Sequence, residues 1–362
     1  MGFDGIKDQE TAVHLLRNVL RTGRIPNAML FWGPGGVGKR LTAIEMAKAL
    51  NCREREHDAC DDCLSCRRVS SGNHPDVRVI VPARRSRLID LEAITEVTEL
   101  ASLRPYESPW RVFVLQDADR LTPPAQNRFL KTLEEPPGNS LFLLTTEYPR
   151  LLLPTIRSRC QPVRFRALRP DTVTGLLMEQ RDLPPETAAA IAGLAQGQMS
   201  RALDLVDAEK REVALAVTQR LEEDYDPVAL AEEFTQSLAE QRKLVEASVQ
   251  SETGRDESRD LSPEEREELK AEQMALVDAL CRRDMLEYLY LLEAWYRDQL
   301  VYEATGQAEH VLNKDQLGRL EAEPARDPGA KIVAIENARK YLDRYVAEER
   351  VFRDLFFRLA AR

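Results

Sequence analysis

Ala28-Met29-Leu30-Phe31-Trp32-Gly33-Pro34-Gly35-Gly36-Val37-Gly38-Lys39-Arg40 is the stretch from which the rest of the chain can be read. Five apolar residues run without interruption into Gly33 to Lys39, which fits the pattern G-x-x-x-x-G-K. Leu41 to Leu50 then continues with apolar residues at helical spacing. A strand, a glycine loop and a helix are therefore expected in that order. Gly33, Gly35, Gly36 and Gly38 let backbone N–H groups close around a phosphate, the helix N-terminus adds partial positive charge, and Lys39 can reach the outer phosphates. The chemistry predicted is nucleotide binding; a glycine turn without a ligand is the alternative. Hydrolysis asks for more, because a hydroxyl after the lysine ordinarily holds Mg²⁺ and this chain has Arg40 there. A guanidinium cannot ligate a metal. Pointed inward, it would repel a divalent ion about 4 Å away by roughly 8 kcal/mol at an effective dielectric of 20. Arg40 is expected to turn to solvent, and ATP or ADP to bind without being hydrolysed.

Four further apolar runs have strand character: Val77 to Val81, Arg111 to Leu115, Leu141 to Leu144 and Val163 to Phe165. With helical segments between them, the five runs predict an α/β fold with a parallel five-stranded sheet, and the glycine loop falls where such sheets bind phosphate, beyond the strands' carboxyl ends. The third run ends Val114-Leu115-Gln116-Asp117-Ala118-Asp119-Arg120. In P-loop ATPases the corresponding strand ends in an acidic pair, one member for Mg²⁺ and one for the attacking water. Aligned on a D-E-A-D form, Gln116 takes the metal-side position and Asp117 the other. A slipped register, with Asp117 or Asp119 serving Mg²⁺, stays open. Thr145 and Thr146, after the fourth run, fit a polar sensor of the nucleotide or ordinary strand-end threonines.

After Phe165 no strand-like run of comparable quality follows, and the remainder reads as helical. We expect an α/β domain over 1–166, a small helical domain over 167–208 and a third, all-α region over 209–362. Residues 251–270 carry 12 charged side chains and only Leu261 and Leu269 among leucines, so they read as a solvated helical insertion. The chain has 362 residues and a formal net charge of −10, which provides no global basic field to draw it onto nucleic acid or acidic lipid. The N-terminus shows no signal-peptide pattern and no run has transmembrane length, so a cytoplasmic protein without membrane contact is expected.

Of six cysteines, Cys52, Cys60, Cys63 and Cys66 fall together. In a reducing compartment such a cluster points to metal rather than disulfides, and four thiolates suit tetrahedral Zn²⁺ with no open position, a structural site. His57 is an alternative ligand, with a solvated loop histidine as the other reading.

With these motifs in hand, the chain resembles the clamp-loader AAA+ family of bacterial DNA polymerase III. The likeness is carried by Gly33 to Lys39, the cysteine cluster, Gly72-Asn73-His74-Pro75-Asp76, Asp117 to Thr122, Leu130-Lys131-Thr132-Leu133-Glu134-Glu135-Pro136-Pro137 and Ser158-Arg159-Cys160. It covers about residues 3 to 165 well and the remainder mainly in helical character. The resemblance implies a P-loop AAA+ module with an inserted zinc module, a helical lid and a helical collar. It also implies motor subunits (tau/gamma) and a delta subunit as partners, and loading of a sliding clamp onto primer-template DNA. Motor subunits of the family keep Thr after the loop lysine and Asp-Glu in the second motif; this chain departs at both. Ser200 stands where the lid of a motor subunit carries a nucleotide-sensing arginine, with Arg201 one residue on. Ser158-Arg159-Cys160 is intact, and in the family its arginine reaches a neighbouring subunit's nucleotide. The resemblance thus implies a subunit that does not hydrolyse ATP and that supplies Arg159 in trans. An active, motor-like ATPase with unconventional Mg²⁺ ligands is the alternative.

Overall fold

A computed structural model describes residues 2–83, 88–135, 138–207, 209–253, 263–322 and 327–361. Strands β1 (Ala28–Trp32), β2 (Val77–Ile80), β3 (Arg111–Leu115), β4 (Ser140–Thr146) and β5 (Gln161–Arg164) form one sheet in the order β2-β3-β4-β1-β5. Every pairing is parallel. The burial of each strand follows from its place. All residues of β3 and β4 are buried, which is why they read as unbroken apolar runs, whereas the edge strands β2 and β5 bury fewer. Pro162, which has no N–H to donate, is tolerated because β5 is an edge strand.

Helices α1 (Glu10–Thr22), α2 (Lys39–Asn51), α3 (Leu64–Ser70), α4 (Leu91–Ser102), α5 (Pro123–Glu134) and α6 (Pro154–Arg159) belong to the same unit. Asp90 caps α4 by accepting the Ala93 N–H at 2.8 Å, and Thr122 caps α5, whose first residue is Pro123. On one sheet face Phe113 stacks on Phe142 at 5.2 Å between centroids, and Phe129 of α5 meets Phe142 edge-on at the same separation. Such rings bury large areas and gain from this geometry. The sheet register has a further consequence. Trp32 lies beside Thr146 and Leu115 beside Leu144, so the segments leaving β1, β3 and β4 emerge at one end of the sheet.

Contacts divide the chain into two compact units, one running to Thr172 and including Gly197–Ser200, the other made of Val173–Gln196 and Arg201 onward. Within the second, α7 (Pro227–Thr253), α8 (Pro263–Thr305), α9 (Pro328–Asp343) and α10 (Glu348–Ala360) pack together. Phe234 sits amid Tyr288, Phe352 and Phe356, with ring centroids 4.9–5.4 Å away. Of the charged insertion expected at 251–270, residues 251–253 end α7 and 263–270 begin α8, while 254–262 lie outside the described residues. Among the described residues no helix is long and apolar enough to cross a membrane.

Candidate functional site

The glycine loop joins β1 to α2. Gly36 has φ +65°, and a Cβ there would fall 2.4 Å from the Ser200 backbone nitrogen, so this position requires glycine both for its conformation and for the approach of Ser200. Lys39 opens α2, is buried, and donates to the Gly33 carbonyl at 2.7 Å and to the Pro34 carbonyl. Burial pulls its ammonium below the usual lysine range, against the attraction of Glu147, Asp117 and Asp119. Beside the loop is a cleft of about 400 Å³ lined by Gly36, Gly38, Lys39, Arg40, Leu41, Gln116, Asp117, Thr145 and Glu147. That is within the range of small-ligand sites.

The structure brings most of the residues singled out in the sequence to this cleft and separates others. Gln116 and Asp117 both line it. Asp117 has φ +47° and donates its N–H to the Thr145 hydroxyl at 3.3 Å, joining the ends of β3 and β4. Thr145 therefore belongs to the cleft. Asp119 does not line it; its carboxylate accepts the Thr146 hydroxyl at 2.5 Å, and Thr146 in turn accepts the Tyr148 N–H. Arg40 is exposed. Arg201 is committed elsewhere in its own unit, paired with Glu287 at 2.9 Å and stacked over Tyr290 at 4.1 Å. Arg159, the last residue of α6, is not among the residues lining the cleft. Its guanidinium donates to Glu134 at 2.6 Å and to the Thr155 carbonyl at 3.1 Å. With side-chain exposures of 35% and 48%, this ion pair is of the surface kind, worth about 0–1 kcal/mol, and holds the guanidinium only lightly.

Glu147 was not found from the sequence. It follows β4, level with the start of the loop because Gly33 donates its N–H to the Thr146 carbonyl at 3.3 Å. Desolvation pushes its carboxyl above the usual range, Lys39 opposes that, and Asp117 and Asp119 reinforce it. An acidic residue directly after Thr145 and Thr146 was the signal available.

At the other end of α2, Cys52 is the C-cap residue, and Cys63 is the N-cap of α3. The sulfurs of Cys52, Cys60, Cys63 and Cys66 all lie within 4.8 Å of one another. Tetrahedral Zn²⁺ with bonds of about 2.3 Å would set them about 3.8 Å apart, and Cys60 and Cys66 sulfurs stand 4.0 Å apart, so the donor set is compatible with that ion. Backbone N–H groups of Arg55, Cys63 and Cys66 donate to the sulfurs of Cys52, Cys60 and Cys63 at 3.3–3.4 Å. Burial raises the Cys63 thiol, but donation from neighbouring N–H and thiol groups outweighs it and brings it down to about 6. His57 is exposed and outside the cluster.

The cluster is tied to the sheet. Ser65 of α3 meets His74 at 3.2 Å, and His74 meets Ser108 at 3.2 Å. Asp76, fully buried, accepts N–H groups from Tyr106, Glu107 and Ser108 at 2.6–3.0 Å and pairs with Arg111 at 3.2 Å.

The chain is similar to known proteins over its first half. Residues 8–169 match the family model described as DNA polymerase III, delta subunit. The delta' subunit of Bacillus subtilis is 37% identical over 51% of this chain and 56% of its own, and that of Pseudomonas aeruginosa 34% over 46% and 51%. The tau subunit of Bacillus subtilis is 31% identical over 57% of this chain and 37% of its own. The chain thus spans about half, or less, of the length of these relatives. A gamma subunit-related protein of Thermotoga maritima superposes over 97% of this chain and 98% of its own at 17% identity, with a TM-score of 0.44, too loosely to bear on function. Over residues 8–169 the chain is thus similar to subunits of DNA polymerase III, the delta' subunits among them.

Proposed function

We propose that this chain is a non-hydrolysing subunit of a clamp-loader complex, contributing Arg159 to the nucleotide site of a neighbouring motor subunit. The observation that carries the reading is the separation of parts. The chain's own cleft presents exposed Arg40 and neutral Gln116 at the positions where a hydroxyl and an aspartate would hold Mg²⁺, while Arg159 stands outside it on a lightly held surface pair. A planar, permanently charged fork suits a transferring phosphoryl group on a neighbour. ATP or ADP is taken as a ligand through Lys39 and the loop amides, without turnover. Zinc is assigned to Cys52, Cys60, Cys63 and Cys66; four thiolates leave no open coordination position, so its chemistry there is structural. The partners assigned are tau/gamma motor subunits and a delta subunit, with the sliding clamp and primer-template DNA engaged through the complex. Residues 167–208 are assigned to a lid and those from 209 to a collar, and the setting is cytoplasmic.

The competing reading, an active motor-like ATPase, draws support from Asp117 and Glu147, two carboxylates on the cleft wall. Turnover by the purified chain in excess Mg²⁺ATP separates the two. We expect none above background and the same background with Lys39→Ala. Sustained hydrolysis that disappears with Lys39→Ala would replace our reading with the competing one.

A further inference from the structure

Residues 52–63, which join α2 to α3, carry no helix or strand. The buried cluster at this junction consists of Ala59, Cys63 and Cys66, with Cys52 and Cys60 packed against it, so apart from Ala59 its core is sulfur. A segment built in this way takes its form from a metal, because in small metal-bound modules the binding energy is folding energy. The sheet, by contrast, is held by its own apolar core. Asp58 and Asp61 lie between Cys52 and Cys63 in the chain, and their positions follow from those of the sulfurs.

Both carboxylates hold the N-terminal segment. Gly2 donates its N–H to Asp61 at 3.0 Å and Phe3 donates to Asp58 at 3.1 Å. The approach is close, since Gly2 has φ +56° and a Cβ there would fall 2.8 Å from Asp58 Oδ1 and 3.1 Å from the Ala59 carbonyl oxygen. Phe3 is buried, and the short turn Gly2–Gly5 packs on α2. Arg17 of α1 reaches Asp4 at 2.6 Å and Asp58 at 3.4 Å, and Lys48 of α2 reaches Asp61 at 2.5 Å. The far end of the segment is fastened elsewhere. Asp8 accepts the Arg169 N–H at 2.8 Å, and Gln9 exchanges two hydrogen bonds with the Arg166 backbone at 2.8 and 2.9 Å. These partners follow Phe165, whose carbonyl oxygen lies 2.4 Å from where a Cβ on Gly33 would stand. The segment thus runs from the cysteine loop to the flank of the glycine loop.

We infer that the cysteine loop is a metal-dependent clasp for the N-terminal segment. With the site filled, Asp58 and Asp61 are set to receive the amides of Phe3 and Gly2. With it empty, the loop loses its form, both amides lose their acceptors, and the turn Gly2–Gly5 is released from α2 while the sheet keeps its fold.

This inference rests on the reading that zinc fills the four-cysteine site, and hydrogen exchange of the full chain tests it without any assay of activity. The comparison is between the wild type with zinc, the wild type stripped by a chelator under reducing conditions, and an Asp58→Ala, Asp61→Ala chain shown by metal analysis to keep its zinc. Phe3 donates to Asp58, and Ile6 donates to the Phe3 carbonyl at 3.2 Å, so both amides report on the clasp. Their exchange should be about tenfold or more faster in the stripped and variant chains than in the zinc-bound wild type, as loss of a hydrogen bond to a charged acceptor implies, while exchange in β3 stays unchanged. The variant opens the clasp with the ion in place, so lost protection there belongs to the two carboxylates. Equal protection of Phe3 and Ile6 in either comparison, with zinc bound in the wild type, would overturn the clasp alone. Loss of protection in β3 on stripping would overturn the claim that release is local. A chain that takes up no zinc would overturn the zinc reading and the clasp with it.

Discussion

The two ends of α2 carry two sites in opposite conditions. At its C-terminal end Cys52 joins three other cysteines in a donor set that is chemically complete, with sulfurs gathered and N–H groups already directed at three of them. At its N-terminal end Lys39 and the glycine loop keep the form of a phosphate site, but the groups that would hold a metal are replaced and an extra carboxylate covers the loop. On our reading one helix keeps its architecture at both ends and offers a complete set of metal donors at only one. Loop geometry is set by backbone and packing, so it does not depend on the side chains that a hydrolysing site would add.

The contrast can be broken most severely at the cysteine end. Cys63→Ser should lose the metal, and protein purified without added zinc should carry about one equivalent in the wild type. Structural zinc is worth about 10–16 kcal/mol of apparent binding energy in small domains, and the larger core here should soften the cost to folding. A wild-type chain that is metal-free and equally folded would mean that both ends of α2 have lost their metals.

A smaller effect is expected where the cysteine end is anchored to the sheet. Asp76→Ala leaves the Arg111 guanidinium buried without its carboxylate and three N–H groups without an acceptor, which should cost about 3–5 kcal/mol. Chemical denaturation with metal retained measures it, and a loss under 1 kcal/mol would show that the metal alone organises this region.

The mildest perturbation is acid. Burial lowers the His74 pKa below its usual value, although Asp76 and Glu107 pull the other way. The unfolded chain then binds more protons than the folded one as pH falls through the ordinary histidine range. The contribution is present above about pH 6.5 and is lost as pH drops from there toward the lowered folded value. His74→Gln should flatten that part of the stability profile; an unchanged profile would place the acid sensitivity elsewhere.

Much of the α/β unit is visible in the sequence for a plain reason. Central parallel strands are buried on both faces, so β1, β3 and β4 appear as continuous apolar runs, and the glycine loop fixes which end of the sheet matters. The edges were less legible. β5 begins at Gln161, before the apolar run at Val163, because an edge strand needs no unbroken apolar stretch. The cysteine cluster was readable because its four members are local in sequence. Glu147 over Gly35, Ser200 against Gly36 and Glu134 beside Arg159 were not, since each depends on segments brought together by the sheet or by helix packing, and nothing in the residues alone marks those meetings.

The central claim is that Arg159 serves a neighbour while the chain's own loop is catalytically silent. Arginine fingers contribute about 10³ to 10⁵ in rate at the site they serve. In a complex with several motor sites only the one facing Arg159 would lose its finger, so the loss in total turnover should be smaller than that. The direct test compares Arg159→Ala with Lys39→Ala in one reconstituted clamp loader, scoring assembly, DNA- and clamp-stimulated ATPase activity and clamp loading. Our account predicts that both variants assemble, that Arg159→Ala lowers stimulated turnover and loading, and that Lys39→Ala does much less. Full activity with Arg159→Ala, or a larger loss with Lys39→Ala, would contradict it.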